Sequence, residues 1–169
     1  MKKLFLPFII LLSITSFAQE NPSKFQLKTL SEQTIHVEAE DNKVIFTEHN
    51  ESVVFLLFFG HNCKPCLKEI PTLKKLTDKK HKDLKILAID SHGYNKKDLT
   101  EFQKEKEINY TLLTREDNKK FIAYIKAKTS WRGSLPFIVV FNKKGEVKLA
   151  HRGALNLKKF EAIYNAVKK

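Results

Sequence analysis

Residues Val53 to Phe59 are apolar without interruption, and a short Gly60-His61-Asn62 link carries them into Cys63-Lys64-Pro65-Cys66, which holds both cysteines of the 169-residue chain. A run apolar on both faces suits a central strand covered by helices on either side. The link then delivers two thiols, at i and i+3, to the start of a helix. There, unpaired backbone N–H groups and the helix dipole favour an anion, so Cys63 is the expected thiolate and Cys66 its partner one turn on. Lys64 adds a positive charge beside them. Only a thiolate attacks a disulfide sulfur, and a neighbouring second thiol resolves the mixed disulfide in an effectively unimolecular step. Spacing and placement suit a cycle between dithiol and disulfide.

Other uses of two cysteines fit less well. A structural bridge closing so short a loop restrains little unfolded-chain entropy, because that gain grows with loop length. A zinc site could add His61 to the two thiols, but no second C-x-x-C or H-x3-H completes a tetrahedral set. Haem attachment needs His directly after the second Cys, where Leu67 stands. No metal or cofactor is expected beyond the Cys63/Cys66 couple itself.

Met1-Lys2-Lys3, the apolar stretch Leu4 to Phe17 and the small residues around Ala18 read as a secretory signal, with cleavage expected after Ala18. The alternative is an uncleaved N-terminal anchor. A lipoprotein anchor is not expected, since neither cysteine lies near the cut. The expected organisation is a signal peptide over 1–18 and one domain over 19–169, with no later stretch long and apolar enough to cross a bilayer. The formal charge of +12 raises the question of nucleic acid, but the lysines are spread over amphipathic segments instead of gathered in a stripe. Solvated helix faces are the reading preferred here, with no nucleic-acid partner.

Short alternating runs at Phe25–Leu30, Thr34–Val37 and Val44–Thr47 predict extended pieces ahead of the main fold. After the Val53–Phe59 strand, a helix from Cys63 to about His81 would bury Leu67, Ile70, Leu73 and Leu76, with a kink expected at Pro71. Leu84–Ile89 reads as a second buried strand, parallel to the first. Helices follow over Lys96–Glu107 and Asp117–Lys128. Phe137–Phe141 and Val147–Ala150 form a hairpin around Asn142-Lys143-Lys144-Gly145, and a last helix starts with Asn156 as its N-cap.

In this order of parts, Phe58-Phe59-Gly60-His61-Asn62-Cys63-Lys64-Pro65-Cys66-Leu67-Lys68-Glu69-Ile70-Pro71 resembles the active-site segment W-C-x-P-C-x-x-E-x-P of the TlpA/ResA/CcmG-like branch of thioredoxin-fold thiol-disulfide oxidoreductases. Arg132-Gly133-Ser134-Leu135-Pro136-Phe137 is similar to that family's cis-proline loop. The resemblance extends through the last hairpin and His151-Arg152-Gly153-Ala154-Leu155, over roughly residues 24 to 168. It implies an α/β thioredoxin-like fold: a central mixed β-sheet flanked by helices, with an N-terminal β extension and a helical insertion before the cis-Pro loop.

It also implies roles. Cys63 would attack, Cys66 would be the buried resolving thiol, and Pro136 the cis-proline. Leu135 would offer its backbone to an extended substrate, with Lys64 and Pro65 forming the surface beside it. Glu69 matches a carboxylate that tunes the thiols and moves protons. This chain departs from the pattern in three places: Asn62 replaces the usual Trp, Leu135 is bulkier than the usual residue before the cis-proline, and Leu57 stands where cytoplasmic thioredoxins carry a buried Asp. Trp131 is read as flanking the site or as a core aromatic.

Pro65 before the second Cys is shared with reducing members of the fold, whereas strong oxidants of the DsbA type place His there. The implied activity is therefore a periplasmic reductant of protein disulfides, acting as a monomer. Its electrons would come from a membrane donor of the DsbD or CcdA kind, and its substrates would include apocytochrome c during cytochrome c maturation. The alternative is a non-catalytic metal-binding or copper-chaperone module using Cys63, Cys66 and His61. Copper carriers of the Sco type, however, space their cysteines C-x3-C, and a peroxiredoxin needs a lone peroxidatic Cys with Pro and Thr upstream.

Overall fold

The computed structural model describes residues 23–79 and 81–169; the expected signal peptide and its cleavage point lie outside the described residues. A five-stranded sheet in the order β6 (Thr111–Leu113), β5 (Leu84–Asp90), β4 (Val53–Phe59), β7 (Phe137–Phe141) and β8 (Val147–Arg152) forms the centre. Its middle strand β4 pairs in parallel with β5 and antiparallel with β7. Every residue of β4 and β7 is buried, as strands covered on both sides must be. Successive side chains of β4 point to opposite faces. Val53, Phe55, Leu57 and Phe59 enter one core with α1 (Lys64–Asp78), α2 (Lys96–Glu105) and α4 (Leu157–Val167). Val54, Leu56 and Phe58 enter a second core under α3 (Lys119–Thr129) and a small N-terminal sheet.

That small sheet consists of β1 (Ser23–Lys28), β2 (Thr34–Glu40) and β3 (Lys43–Phe46), all antiparallel. It alternates strictly: Ile35, Val37 and Ala39 of β2 are buried while the residues between them are not, so one face packs and the other meets water. Two bridges fasten it to the large sheet. Leu30 N–H donates to the Leu112 carbonyl at 2.8 Å beside the edge strand β6 (Thr111–Leu113), and Val44 N–H donates to the Gly145 carbonyl at 2.7 Å. Gly145 has φ +74°, and a Cβ there would lie 2.7 Å from the Val44 carbonyl oxygen. Only glycine satisfies both the turn and this close approach. The turn joins β7 to β8 (Val147–Arg152).

The fold matches the expected thioredoxin-like arrangement, with differences at element ends. Helix α1 runs through Pro71 and stops at Asp78, three residues before His81. Helix α3 starts at Lys119 and not at Asp117, because Asp117 is held in the preceding turn by the Thr114 hydroxyl at 2.8 Å. Strand β6 was not anticipated: three residues carry no measurable period. Trp131 is a core aromatic, 2% exposed, stacked on Phe137, with its indole N–H donating to the Ser134 carbonyl at 2.7 Å.

Candidate active site

Cys63 is the N-cap of α1, with extended backbone at φ −83° and ψ 106°, and its Sγ accepts the Cys66 N–H at 3.4 Å. A sulfur in this position receives a donor that the helix itself cannot use, which is the arrangement that favours a thiolate. The two cysteines are joined as a disulfide with Cα atoms 5.2 Å apart. They differ in access: Cys63 is half-buried and Cys66 is 2% exposed. Pro65 lies in the first turn, where its missing N–H costs no helical hydrogen bond, and it shares the exposed rim with Lys64.

One turn further along α1 comes Glu69, on the same buried stripe as Cys66, Ile70 and Leu73. It is 5% exposed and accepts one main-chain donor, the Leu155 N–H, at 2.6 Å. Burial pushes its carboxyl up to about 7, against the smaller opposing effect of that hydrogen bond. The phenol of Tyr110 is likewise pushed up, by burial first and by the Glu69 charge second, which places both groups in one region. Leu57 faces this core too, with an apolar side chain.

A second buried carboxylate was not anticipated from the sequence. Asp90 ends β5 and is 0% exposed. Its Oδ2 accepts the N–H groups of Gly93 and Tyr94 at 2.9 and 2.7 Å, and its Oδ1 those of His61 and His92 at 3.2 and 3.4 Å. The His61 ring adds Nδ1 at 3.3 Å from both oxygens and stacks on Tyr94. Asp90 therefore fastens the loop before Cys63 to the loop after β5. The Asn62 side chain adds a hydrogen bond to the His92 ring, and that ring covers Gly60 so closely that a Cβ there would lie 2.4 Å from it. A signal for Asp90 does exist: an Asp followed by Ser-His-Gly is a sequence in which a side chain caps main-chain donors two to four residues on.

The loop before β7 supplies the other wall. The Leu135–Pro136 peptide is cis, and the Pro136 carbonyl accepts the Gly153 N–H at 2.9 Å. Leu135 packs, partly buried, against the same core as Cys63 and Leu67. Sequence reasoning thus named Cys63, Cys66, Glu69, Leu135 and Pro136 on elements that the fold gathers at one end of the central sheet, and missed Asp90 and His92. His61 is turned toward Asp90. Among the described residues no group of three His, Cys, Asp or Glu side chains clusters in a way that could hold a metal ion.

Comparison with solved structures places the fold among thioredoxin-like proteins. StoA from Bacillus subtilis superposes with a TM-score of 0.64 at 17% identity, covering 83% of this chain and 96% of that one. A thiol:disulfide interchange protein of the thioredoxin family from Chlorobium tepidum gives 0.66 at 17%, covering 88% and 97%. An exposed lipoprotein thioredoxin from Streptococcus pneumoniae gives 0.64 at 16%, covering 85% and 99%. No curated protein matches the sequence. The pattern of the AhpC/TSA family does match, over residues 19–150. With most of its length matched, the chain belongs to the AhpC/TSA family and carries the thioredoxin-like fold of thiol-disulfide oxidoreductases.

Proposed function

We propose that this protein is an exported thiol-disulfide oxidoreductase of the TlpA/ResA/CcmG-like branch that reduces protein disulfides in the periplasm. The observation that carries the reading is the division between the two sulfurs: Cys63 half-buried at a helix N-cap, Cys66 buried one turn in, beside a cis-proline loop. In the dithiol form the Cys63 thiolate attacks one sulfur of a substrate disulfide, forming a mixed disulfide and releasing the other sulfur as thiolate. Cys66 then loses its proton and attacks Cys63 Sγ; the internal disulfide forms and the second substrate thiolate leaves. Two electrons have passed to the substrate, and a dithiol donor must return two to the protein.

In this reading Glu69 takes the Cys66 proton, supported by its position on the buried stripe of α1 with Cys66 and by a carboxyl that burial pushes up to about 7. Leu135 would pair with an extended substrate next to Pro136. A membrane donor of the DsbD or CcdA kind fits the need for electrons outside the cytoplasm, and the C-x-x-C-H thiols of apocytochrome c fit the branch's task of cytochrome c maturation. The metal-carrier alternative draws no support from His61, whose ring is engaged by Asp90 and Tyr94.

Two measurements test the proposal. Cys66→Ala should accumulate substrates as mixed disulfides on Cys63, because attack proceeds while resolution cannot. The Cys63/Cys66 couple should equilibrate near −270 mV, in the range of thioredoxin; a value near −120 mV would make the protein an oxidant and overturn the direction assigned here.

A further inference from the structure

Between the loop after β5 and the cis-proline loop lies a cleft of about 90 Å³, walled by Ser91, His92, Arg115, Lys126, Trp131 and Leu135 among others. Two of its walls lead toward the disulfide: His92 is hydrogen-bonded to Asn62, the residue before Cys63, and Leu135 precedes the cis-proline Pro136. It is far smaller than the roughly 300–1,000 Å³ of a typical cofactor site, so it suits a single side chain.

The wall is chemically divided. Trp131, Ile122 and Leu135 are apolar, while Arg115 and Lys126 bring two cations to the rim. Neither cation has a carboxylate partner among the described residues. The Arg115 guanidinium reaches only the Ser91 carbonyl at 3.5 Å, and the Lys126 ammonium sits 5.3 Å from the Trp131 ring. Acidic residues adjoining Ser91 and Arg115 in the sequence are already engaged: Asp90 is surrounded by main-chain donors, and Glu116 pairs with Lys119 at 2.7 Å. Ser91 Oγ, on the same wall, is the one buried side-chain polar atom without a hydrogen-bond partner among the described residues. A cleft with an apolar floor, two unneutralised cations and unused polar capacity is complementary to a short apolar stem ending in an anion.

We propose that this cleft is a substrate subsite for an acidic side chain, so that the polypeptides preferred by Cys63 carry Asp or Glu close to the cysteine under attack. The carboxylate meets Arg115 and Lys126 at the rim, and the methylene stem lies against Trp131 and Leu135. The proposal rests on the reductase reading for the chemistry, but occupancy of the cleft can be read separately. Trp131 is the only tryptophan of the chain and lines the cleft, so its fluorescence reports binding without any redox step.

The experiment uses disulfide-linked peptides, acetylated and amidated at their ends, that differ only in Glu, Gln or Lys two residues from the cysteine. With the wild type, the Glu peptide should be reduced with a kcat/KM about five- to tenfold above the Gln peptide, and the Lys peptide should be slowest, as expected for exposed ion pairs of modest strength. In Arg115→Gln/Lys126→Gln the three peptides should converge, while reaction with dithiothreitol stays unchanged. In Cys63→Ser/Cys66→Ser, which cannot react, the Glu peptide should shift Trp131 emission at several-fold lower concentration than the Gln peptide, and added salt should erase the difference. Equal binding of all three peptides, or a Glu preference that survives the double charge removal, overturns the subsite. Charge-dependent binding to the Ser variant, with no reduction of any peptide by the wild type, would sink the reductase reading and leave the subsite standing.

Discussion

Two buried carboxylates stand on elements that flank the cysteines, Asp90 at the end of β5 and Glu69 within α1, and their surroundings differ. Asp90 is surrounded by donors: four main-chain N–H groups and the His61 ring converge on its two oxygens. Glu69, on the helix side, has one donor, the Leu155 N–H, and burial pushes its carboxyl up to about 7. The number of donors decides what each group can do. A carboxylate ringed by main-chain N–H groups acts as a fastener, since every donor it holds would otherwise be unsatisfied. A carboxyl in apolar surroundings with a single donor exchanges a proton near neutrality, and that suits it to proton transfer.

The largest expected effect comes from removing the fastener. Asp90→Ala strands four part-buried main-chain donors at once and should cost about 3–5 kcal/mol, read as a lower midpoint in urea unfolding. A loss under about 1 kcal/mol would show that water replaces the carboxylate and that the comparison is false. Asp90→Asn, which keeps one acceptor oxygen, should fall between.

Glu69→Gln should act the other way, and only above mildly acidic pH. The folded-state pKa, about 7, lies above the ordinary glutamate value of 4.5, so between those values the folded state holds a proton that the unfolded state has lost. Stability from this group is therefore complete below about pH 4.5, falls as pH rises toward 7, and is flat beyond. The glutamine variant should lack that fall and be more stable than wild type at pH 8 by about 2–3 kcal/mol, with little difference at pH 4. Alkylation of the reduced protein should follow the same group: ionisation of Glu69 disfavours a nearby thiolate, so the variant's rate-against-pH curve should move to lower pH. Superimposable curves would leave Glu69 without a hand in thiol chemistry.

Gly60→Ala probes the junction between the two loops. Gly60 is outside the left-handed region, so the cost arises from the His92 ring, the exposed end of a movable side chain. A loss of about 1 kcal/mol or less is expected, accompanied by a changed His92 environment in NMR spectra. A loss as large as that of Asp90→Ala would mean that the backbone yields instead.

The same contrast explains what the sequence made legible. Strands β4 and β7 were recognised to the residue because runs such as Val53–Phe59 and Phe137–Phe141 need apolar side chains on both faces. Asn156 announced the start of α4 through its side chain, which accepts the Lys159 N–H at 3.0 Å. Glu69 was singled out by the family resemblance alone, since a glutamate between apolar helix positions gives no sign by itself that it is buried. Asp90 left only a local trace, the Ser-His-Gly that follows it, and its bond to His61, like that of His92 to Asn62, spans about 30 residues of chain, where no period leaves a mark. Strand β6 was lost to its shortness, and Trp131 could be given to site or core only after its packing was seen; it belongs to the core and also borders the cleft.

The fastening of the N-terminal strands at both ends of the central sheet has a consequence for self-association. With Leu30 bonded beside β6, that edge is no longer an open template, and among the described residues β8 is left as the exposed margin of the five-stranded sheet. Its exposed Lys148 and Arg152 would lie opposite each other if a second copy paired there antiparallel about Ala150, Lys148 carrying its Glu146 partner at 2.7 Å. Repulsion between these side chains acts as a guard against edge-to-edge aggregation, and it weakens in concentrated salt or in the presence of polyanions, which screen it.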